Sequence, residues 1–133
     1  MNLVVDASVL LAVLTSEPER GKLIELTQDI DLIAPASVHW EVGNALSNMM
    51  KRGRITAIQA KGVLKNYEKI PIRFVEVSLQ EAIDVSAKQH IYAYDAYLVV
   101  CARDQRCRLI SLDKALLRAA KDSGVTTVEV PNK

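Results

Sequence analysis

Short apolar runs alternate along this chain with stretches of helical spacing. Leu3-Val4-Val5 is apolar and mostly β-branched, the pattern of a strand buried on both faces of a parallel sheet. Val9-Leu10-Leu11-Ala12-Val13-Leu14 follows and predicts a helix. Ser16-Glu17-Pro18-Glu19 reads as a capping box with its proline in the first turn, opening a helix to about Gln28 with Leu23, Ile24 and Leu26 inward. Residues 31–35 form a second strand ended by Pro35. A long helix over 36–52 carries the stripe Val38, Val42, Ala45, Leu46 and Met49, and Gly53 stops it. Thr56-Ala57-Ile58-Gln59 is another capping box, starting a helix to about Lys69 with Val63, Leu64 and Tyr67 as its buried side.

Residues 72–77 predict a third strand, and the capping box Ser78-Leu79-Gln80-Glu81 starts the helix that carries Ile83 and Ala87. Residues 95–103 are apolar almost all round, so that helix is central and buried. Leu109-Ile110 is a fourth strand, 113–123 a helix ended by Gly124, and 127–130 a fifth strand. Strands alternating with helices imply a parallel sheet covered on both faces. The expected fold is a three-layer α/β/α sandwich around about five parallel strands, Rossmann-like in outline. With no repeat, low-complexity segment or linker, residues 1–133 read as a single domain.

Half the residues are hydrophobic and a quarter charged, which excludes a disordered chain. No apolar run approaches the ~18 residues of a membrane helix and no signal-peptide pattern is present, so the expected location is cytoplasmic, away from membranes. Cys101 and Cys107 then read as free thiols. The net charge of +1 does not mark a nucleic-acid binder. If four of the 16 acids gather in one pocket, however, 17 Lys and Arg face the remaining twelve, and the outer surface carries about +5.

Four carboxylates invite that reading. Asp6 closes the first strand, Glu41 lies one turn into the helix after the second, Asp95 opens the most apolar helix, and Asp113 follows the fourth strand. In a parallel sheet all four can converge at the carboxyl edge, where ligands of open α/β folds gather. Isolated buried carboxylates are costly, several together push a pKa upward, and no single buried cation in the sequence answers all four. Hard divalent ions do, and two of them about 3.5–4 Å apart clamp the attacking and leaving oxygens of an in-line phosphoryl displacement. The plainer role for Asp6 is the N-cap of the next helix. Glu41 also shares a polar stripe with Ser37, Asn44, Asn48 and Arg52, which runs into Lys51-Arg52-Gly53-Arg54. Two asparagines in mid-helix are poor helix formers and point to a functional face, with an ordinary solvated face as the alternative.

Together, Val5-Asp6-Ala7-Ser8, Glu41-x-x-Asn44-Ala45-Leu46, Tyr94-Asp95-Ala96 and Ser111-Leu112-Asp113-Lys114-x-Leu116 resemble the PIN-domain family over essentially the whole chain. Within it, the length and the lack of added modules look most like the VapC-type toxins of toxin–antitoxin pairs. The resemblance implies a metal-dependent endoribonuclease that cuts single-stranded or loop RNA to a 5′-phosphate and a 3′-hydroxyl, using Mg²⁺ or Mn²⁺. By the same resemblance, Asp6 and Asp95 are the principal metal ligands, and Asp113 completes the site directly or through water. Glu41 holds a second metal or the attacking water. Ser8 and Ser111 fit the family's small hydroxyl positions, and Asn44 orients a ligand carboxylate.

The implied partners are RNA, a cognate antitoxin and a second copy of the chain in a homodimer. Lys51, Arg52 and Arg54, with Lys114 and Arg118, are the expected phosphate contacts. An antitoxin segment is expected in a groove lined by Val9, Leu11, Val13, Leu14, Leu23, Ile58 and Val63. Trp40, Tyr92, Tyr94 and Tyr97 depart from the family's usual residues; RNA stacking, dimer contact and core filling all remain open for them. His39 and His90 have no partner at metal spacing. An aspartyl-phosphate enzyme would need a second acid where Ser8 stands. An RNA-processing PIN nuclease without an antitoxin, or an inactive PIN-fold binding module, are the alternatives that stay open.

Overall fold

The first strand is the middle of everything. In the computed structural model, which describes residues 1–15 and 19–130, β1 (Asn2–Val5) pairs in parallel with β2 (Asp31–Pro35) on one side and with β4 (Arg108–Ser111) on the other. Edge strands β3 (Ile72–Val75) and β5 (Thr127–Glu129) complete the order β3-β2-β1-β4-β5. Leu3, Val4 and Val5 are buried, as a strand covered on both faces must be. The chain fills one side of β1, then returns to fill the other, so the strand order reverses between β1 and β4. A crevice opens at the carboxyl ends of strands at such a switch point.

Helices cover the two faces. α1 (Ala7–Leu14) packs against α2 (Arg20–Thr27), α3 (Ser37–Lys51) and α4 (Ala57–Glu68). α6 (Ala93–Gln105) lies across β1, β2 and β4, and α5 (Leu79–Gln89) and α7 (Lys114–Asp122) pack against it. This is the expected three-layer sandwich of five parallel strands. α6 buries an unbroken run from Leu98 to Ala102, in keeping with a sequence apolar almost all round. Burial pushes the Cys101 thiol up to about 12; it and the half-buried Cys107 are free. No helix among the described residues is long and apolar enough to cross a membrane.

Local signals account for most element ends. Thr56 and Gln59 form a complete capping box, with Thr56 Oγ1 accepting from the Gln59 N–H at 3.1 Å and Gln59 Oε1 from the Thr56 N–H at 2.9 Å. Gly53, at φ 71°, occupies the left-handed region just past the end of α3. Other expectations need correction. The box at Ser16-Glu17-Pro18 falls outside the described residues, and Glu19 caps α2 without a side-chain bond. At Ser78 only the forward half forms, from the Glu81 N–H to Ser78 Oγ. β3 ends at Val75, two residues early. α5 faces inward through Ala82 and Val85, leaving Ile83 and Ala87 exposed, and Ile24 and Leu64 are also exposed.

Among the described residues, the apolar set expected to line a groove on α1, α2 and α4 is largely turned into the core. Val9 and Leu23 are fully buried, and Leu11, Val13, Leu14 and Val63 pack against the core. Ile58 alone of that set stands in solvent, 83 % exposed.

Candidate active site

Asp6 is the hub. It follows Val5 at the end of β1, its backbone is extended, and it is 5 % exposed. Its Oδ1 accepts from the Val9 N–H at 3.1 Å, so the capping role is real. The same oxygen accepts from Ser8 Oγ at 2.7 Å, while Oδ2 accepts from Ser111 Oγ at 2.5 Å, 105 positions along the chain.

Which way those hydroxyl protons point follows from their other bonds. The Leu112 N–H donates to Ser8 Oγ at 3.1 Å and the Asp113 N–H to Ser111 Oγ at 2.9 Å. A backbone N–H only donates, so each hydroxyl must turn its single proton to Asp6. Two serines thus tie the loop after β4 to the carboxylate after β1. A carboxylate offers about four lone-pair sites, and Asp6 has committed three, leaving one on Oδ2.

The other three acids stand around it. Asp113 caps α7, its Oδ1 accepting from the Ala115 and Leu116 N–H groups at 2.9 and 3.2 Å. Asp95 lies in the first turn of α6, where the helix N-terminus favours negative charge. Its pKa is nevertheless raised, first by burial, then by the charges of Asp113 and Asp6. Burial also raises Asp6, against the three hydrogen bonds that favour its charged form, and Asp113 adds to the rise. Glu41, in the second turn of α3, is pushed up to about 7 by burial and then by Asp6 and Asp95. Asp6 and Asp95 therefore link the group, each feeling the charge of Asp113 and each acting on Glu41.

Whether these residues fit a metal is decided by what answers their charge. None of the ion pairs among the described residues involves Asp6, Glu41, Asp95 or Asp113. Glu41 Oε1 is buried with no hydrogen-bond partner. An orphaned carboxylate oxygen among like charges is a position a cation stabilises, and an all-oxygen donor set suits Mg²⁺ or Mn²⁺ rather than Zn²⁺. Among the described residues no group of three Asp, Glu, His or Cys side chains is placed closely enough to hold a metal ion by itself. Mg²⁺ characteristically takes few carboxylates and keeps several waters, so it does not require three protein ligands at one point. The residues fit a divalent ion.

Beside the acids lies a cleft of about 490 Å³ lined by Ala7, Ser8 and Leu11 of α1, by Trp40, Glu41, Asn44, Ala45 and Asn48 of α3, and by Tyr94 of α6. Asn44 is exposed on this wall and is absent from the groups that perturb Asp6, Glu41 or Asp95. Lys51, Arg52 and Arg54 at the end of α3, and Lys114 and Arg118 on α7, are exposed and outside the ion pairs of the described residues. His39 turns to Tyr67, its Nδ1 3.1 Å from the phenol oxygen. Asn48 in the cleft wall was legible only as a helical stripe. That Trp40 and Tyr94 share one cleft depends on how α1, α3 and α6 are placed around it, which no local pattern encodes.

The family model for the PIN domain matches residues 3–122. Among solved structures, PAE2754 from Pyrobaculum aerophilum is 23 % identical, with a TM-score of 0.70 over 98 % of this chain and 90 % of that one. VapBC2 from Rickettsia felis, solved bound to a DNA fragment from their promoter, is 10 % identical, with a TM-score of 0.70 over 98 % and 100 %. FitAcB from Neisseria gonorrhoeae is 14 % identical, with a TM-score of 0.65 over 94 % and 95 %. None of the curated proteins matches.

Proposed function

The chain belongs to the PIN-domain family, and on that premise we propose that it is a metal-dependent endoribonuclease, the toxin of a toxin–antitoxin pair, acting as one domain over residues 1–133. The observation that carries this reading is the uncompensated acid group at the switch point, with Glu41 Oε1 buried and unpartnered. Asp6 and Asp95 would hold a divalent ion, with Asp113 and Glu41 completing the set. Such an ion supplies Lewis-acid stabilisation of the phosphate and lowers the pKa of a water. Ser8 and Ser111 hold the Asp6 carboxylate in one orientation, and through the Leu112 and Asp113 N–H groups they fix the loop that bears Asp113.

Glu41 would hold the ion or the attacking water; burial and the charges of Asp6 and Asp95 raise its pKa to about 7 in the metal-free site, and a bound cation would favour its ionised form. Lys51, Arg52, Arg54, Lys114 and Arg118 would bind the flanking phosphates. Likeness in fold to VapBC2 and FitAcB supports an antitoxin partner. A homodimer is the proposed assembly, and the cytoplasm the proposed place of action.

The test is to sequence RNA ends in cells expressing the wild type or Asp6→Asn. New 5′-phosphate ends should accumulate at defined sites only with the wild type, while the purified variant keeps its circular dichroism. Equal cleavage by a folded variant would remove Asp6 from the chemistry. Absence of new ends with either protein would favour the inactive binding module.

A further inference from the structure

Two exposed aromatic rings stand directly before two of the acids. Trp40, the one tryptophan of the chain, precedes Glu41 and is 69 % exposed; Tyr94 precedes Asp95 and is 54 % exposed. Both line the cleft of about 490 Å³ beside the acid group. Neither ring is left without support. His39 meets Trp40 edge-on, with centroids 4.9 Å apart at 78°, and His39 is itself held by the Tyr67 hydroxyl. Tyr97 meets Tyr94 with centroids 5.8 Å apart at 86°. Trp40, Asn44 and Asn48 are spaced by four, so they follow one ridge of α3 from the indole to two side-chain amides. Amides carry donors and acceptors without charge.

Flat apolar faces beside neutral donors and acceptors match one ligand chemistry closely. A nucleobase has a π-face for aromatic stacking and an uncharged edge that amides read. An amphipathic peptide helix would instead require an apolar ridge where Asn44 and Asn48 stand. We propose that the cleft is a nucleobase subsite, in which a base of single-stranded RNA adjoining the scissile phosphate stacks on Trp40 and Tyr94 while Asn44 and Asn48 read its edge. For its polymer this rests on the nuclease reading above; for its base it rests on the cleft. Cleavage preference would then be set by the nucleotide in this cleft, and structured duplex would be excluded because its bases are already stacked and paired.

Because Trp40 is the only indole, tryptophan fluorescence reports on this cleft alone. The full chain in Mg²⁺ is titrated with AMP, GMP, CMP and UMP, which contain no phosphodiester to cut, and with ribose 5-phosphate as the base-free control. The nucleotides should quench and saturate, and ribose 5-phosphate should not. By calorimetry, Trp40→Ala should weaken nucleotide binding about five- to 150-fold, as loss of a base–aromatic stack does, while Trp40→Phe retains most of it. Asn48→Ala should reorder the four nucleotides.

Quenching by ribose 5-phosphate equal to that by nucleotides would overturn the proposal, as would unchanged affinity in Trp40→Ala. So would a Trp40→Ala variant that dissociates a dimer in sedimentation yet binds nucleotides as before. A protein that cleaves RNA but fails these titrations loses the subsite and keeps the nuclease reading. One that passes them without cleaving RNA keeps the subsite and loses the nuclease.

Discussion

Replacing Glu41 with Gln should stabilise the metal-free protein at alkaline pH. Folding lifts this carboxyl from its ordinary 4.5 to about 7, by burial first and then by the charges of Asp6 and Asp95. A carboxyl raised in this way favours the fold in its protonated form. Its favourable contribution is complete below 4.5 and is lost as pH climbs through about 7. For a fully buried group, a rise of that size corresponds to at most about 3.4 kcal/mol. Glu41 is half-buried, so solvent screening reduces the effect to roughly 1–2 kcal/mol. For 133 residues, an unfolding entropy of about 2.1 cal/mol/K per residue converts this to roughly 4–7 °C in Tm.

Glutamine has nearly the same volume and no charge at any pH, and its amide nitrogen can turn to the solvent side. Melting in EDTA should therefore give equal Tm values near pH 5 and a more stable variant at pH 8. Mg²⁺ added at pH 8 should raise the wild-type Tm by more than that of the variant, because the ion uses the charge the variant lacks. A variant that melts below the wild type at both pH values in EDTA would mean that Glu41 makes a structural bond, and the electrostatic reasoning would be refuted.

Ser111→Ala removes the donor to Asp6 Oδ2 and the acceptor of the Asp113 N–H. Losing a charge-assisted bond of this kind costs about 1.5–3 kcal/mol, so calorimetry should show Tm lowered by at least roughly 5 °C. Changing Arg52 and Arg54 to Ala should lower the slope of log affinity against log salt for single-stranded RNA by about 0.7 for each phosphate no longer neutralised, leaving metal binding as it was. An unchanged slope would return both arginines to the solvated surface.

Much of this architecture is legible in residues 1–133 because its signals are local. A β-branched triplet buried on both faces marks β1, Thr56 and Gln59 mark the start of α4, and Gly53 marks the end of α3. The four acids stand out because carboxylates at strand ends and on apolar helices need an explanation. What escapes the sequence depends on packing between distant elements. Ile83 and Ala87 repeat at helical spacing as well as Ala82 and Val85 do, and only the position of α6 decides which pair turns inward. Val9 and Leu23 are surplus to one inner face by sequence for the same reason: the depth of the core beneath α1 cannot be counted along one helix. The pinning of Asp6 by Ser111 joins residues 105 positions apart; the family resemblance singled out Ser111, but no local pattern gives its bond to Asp6.

That separation has a consequence for synthesis. Asp6 is made 105 positions before Ser111, yet its strand lies at the centre of the sheet, and one of its two neighbours, β4, is the strand that ends in Ser111. Until the polypeptide has grown past Ser111 and Asp113, Asp6 lacks the hydroxyl that orients its second oxygen, and the fourth acid does not exist. Non-local pairing of this kind forms late. A chain that has not yet reached Asp113 therefore carries no assembled acid group, whichever of its earlier strands have already paired.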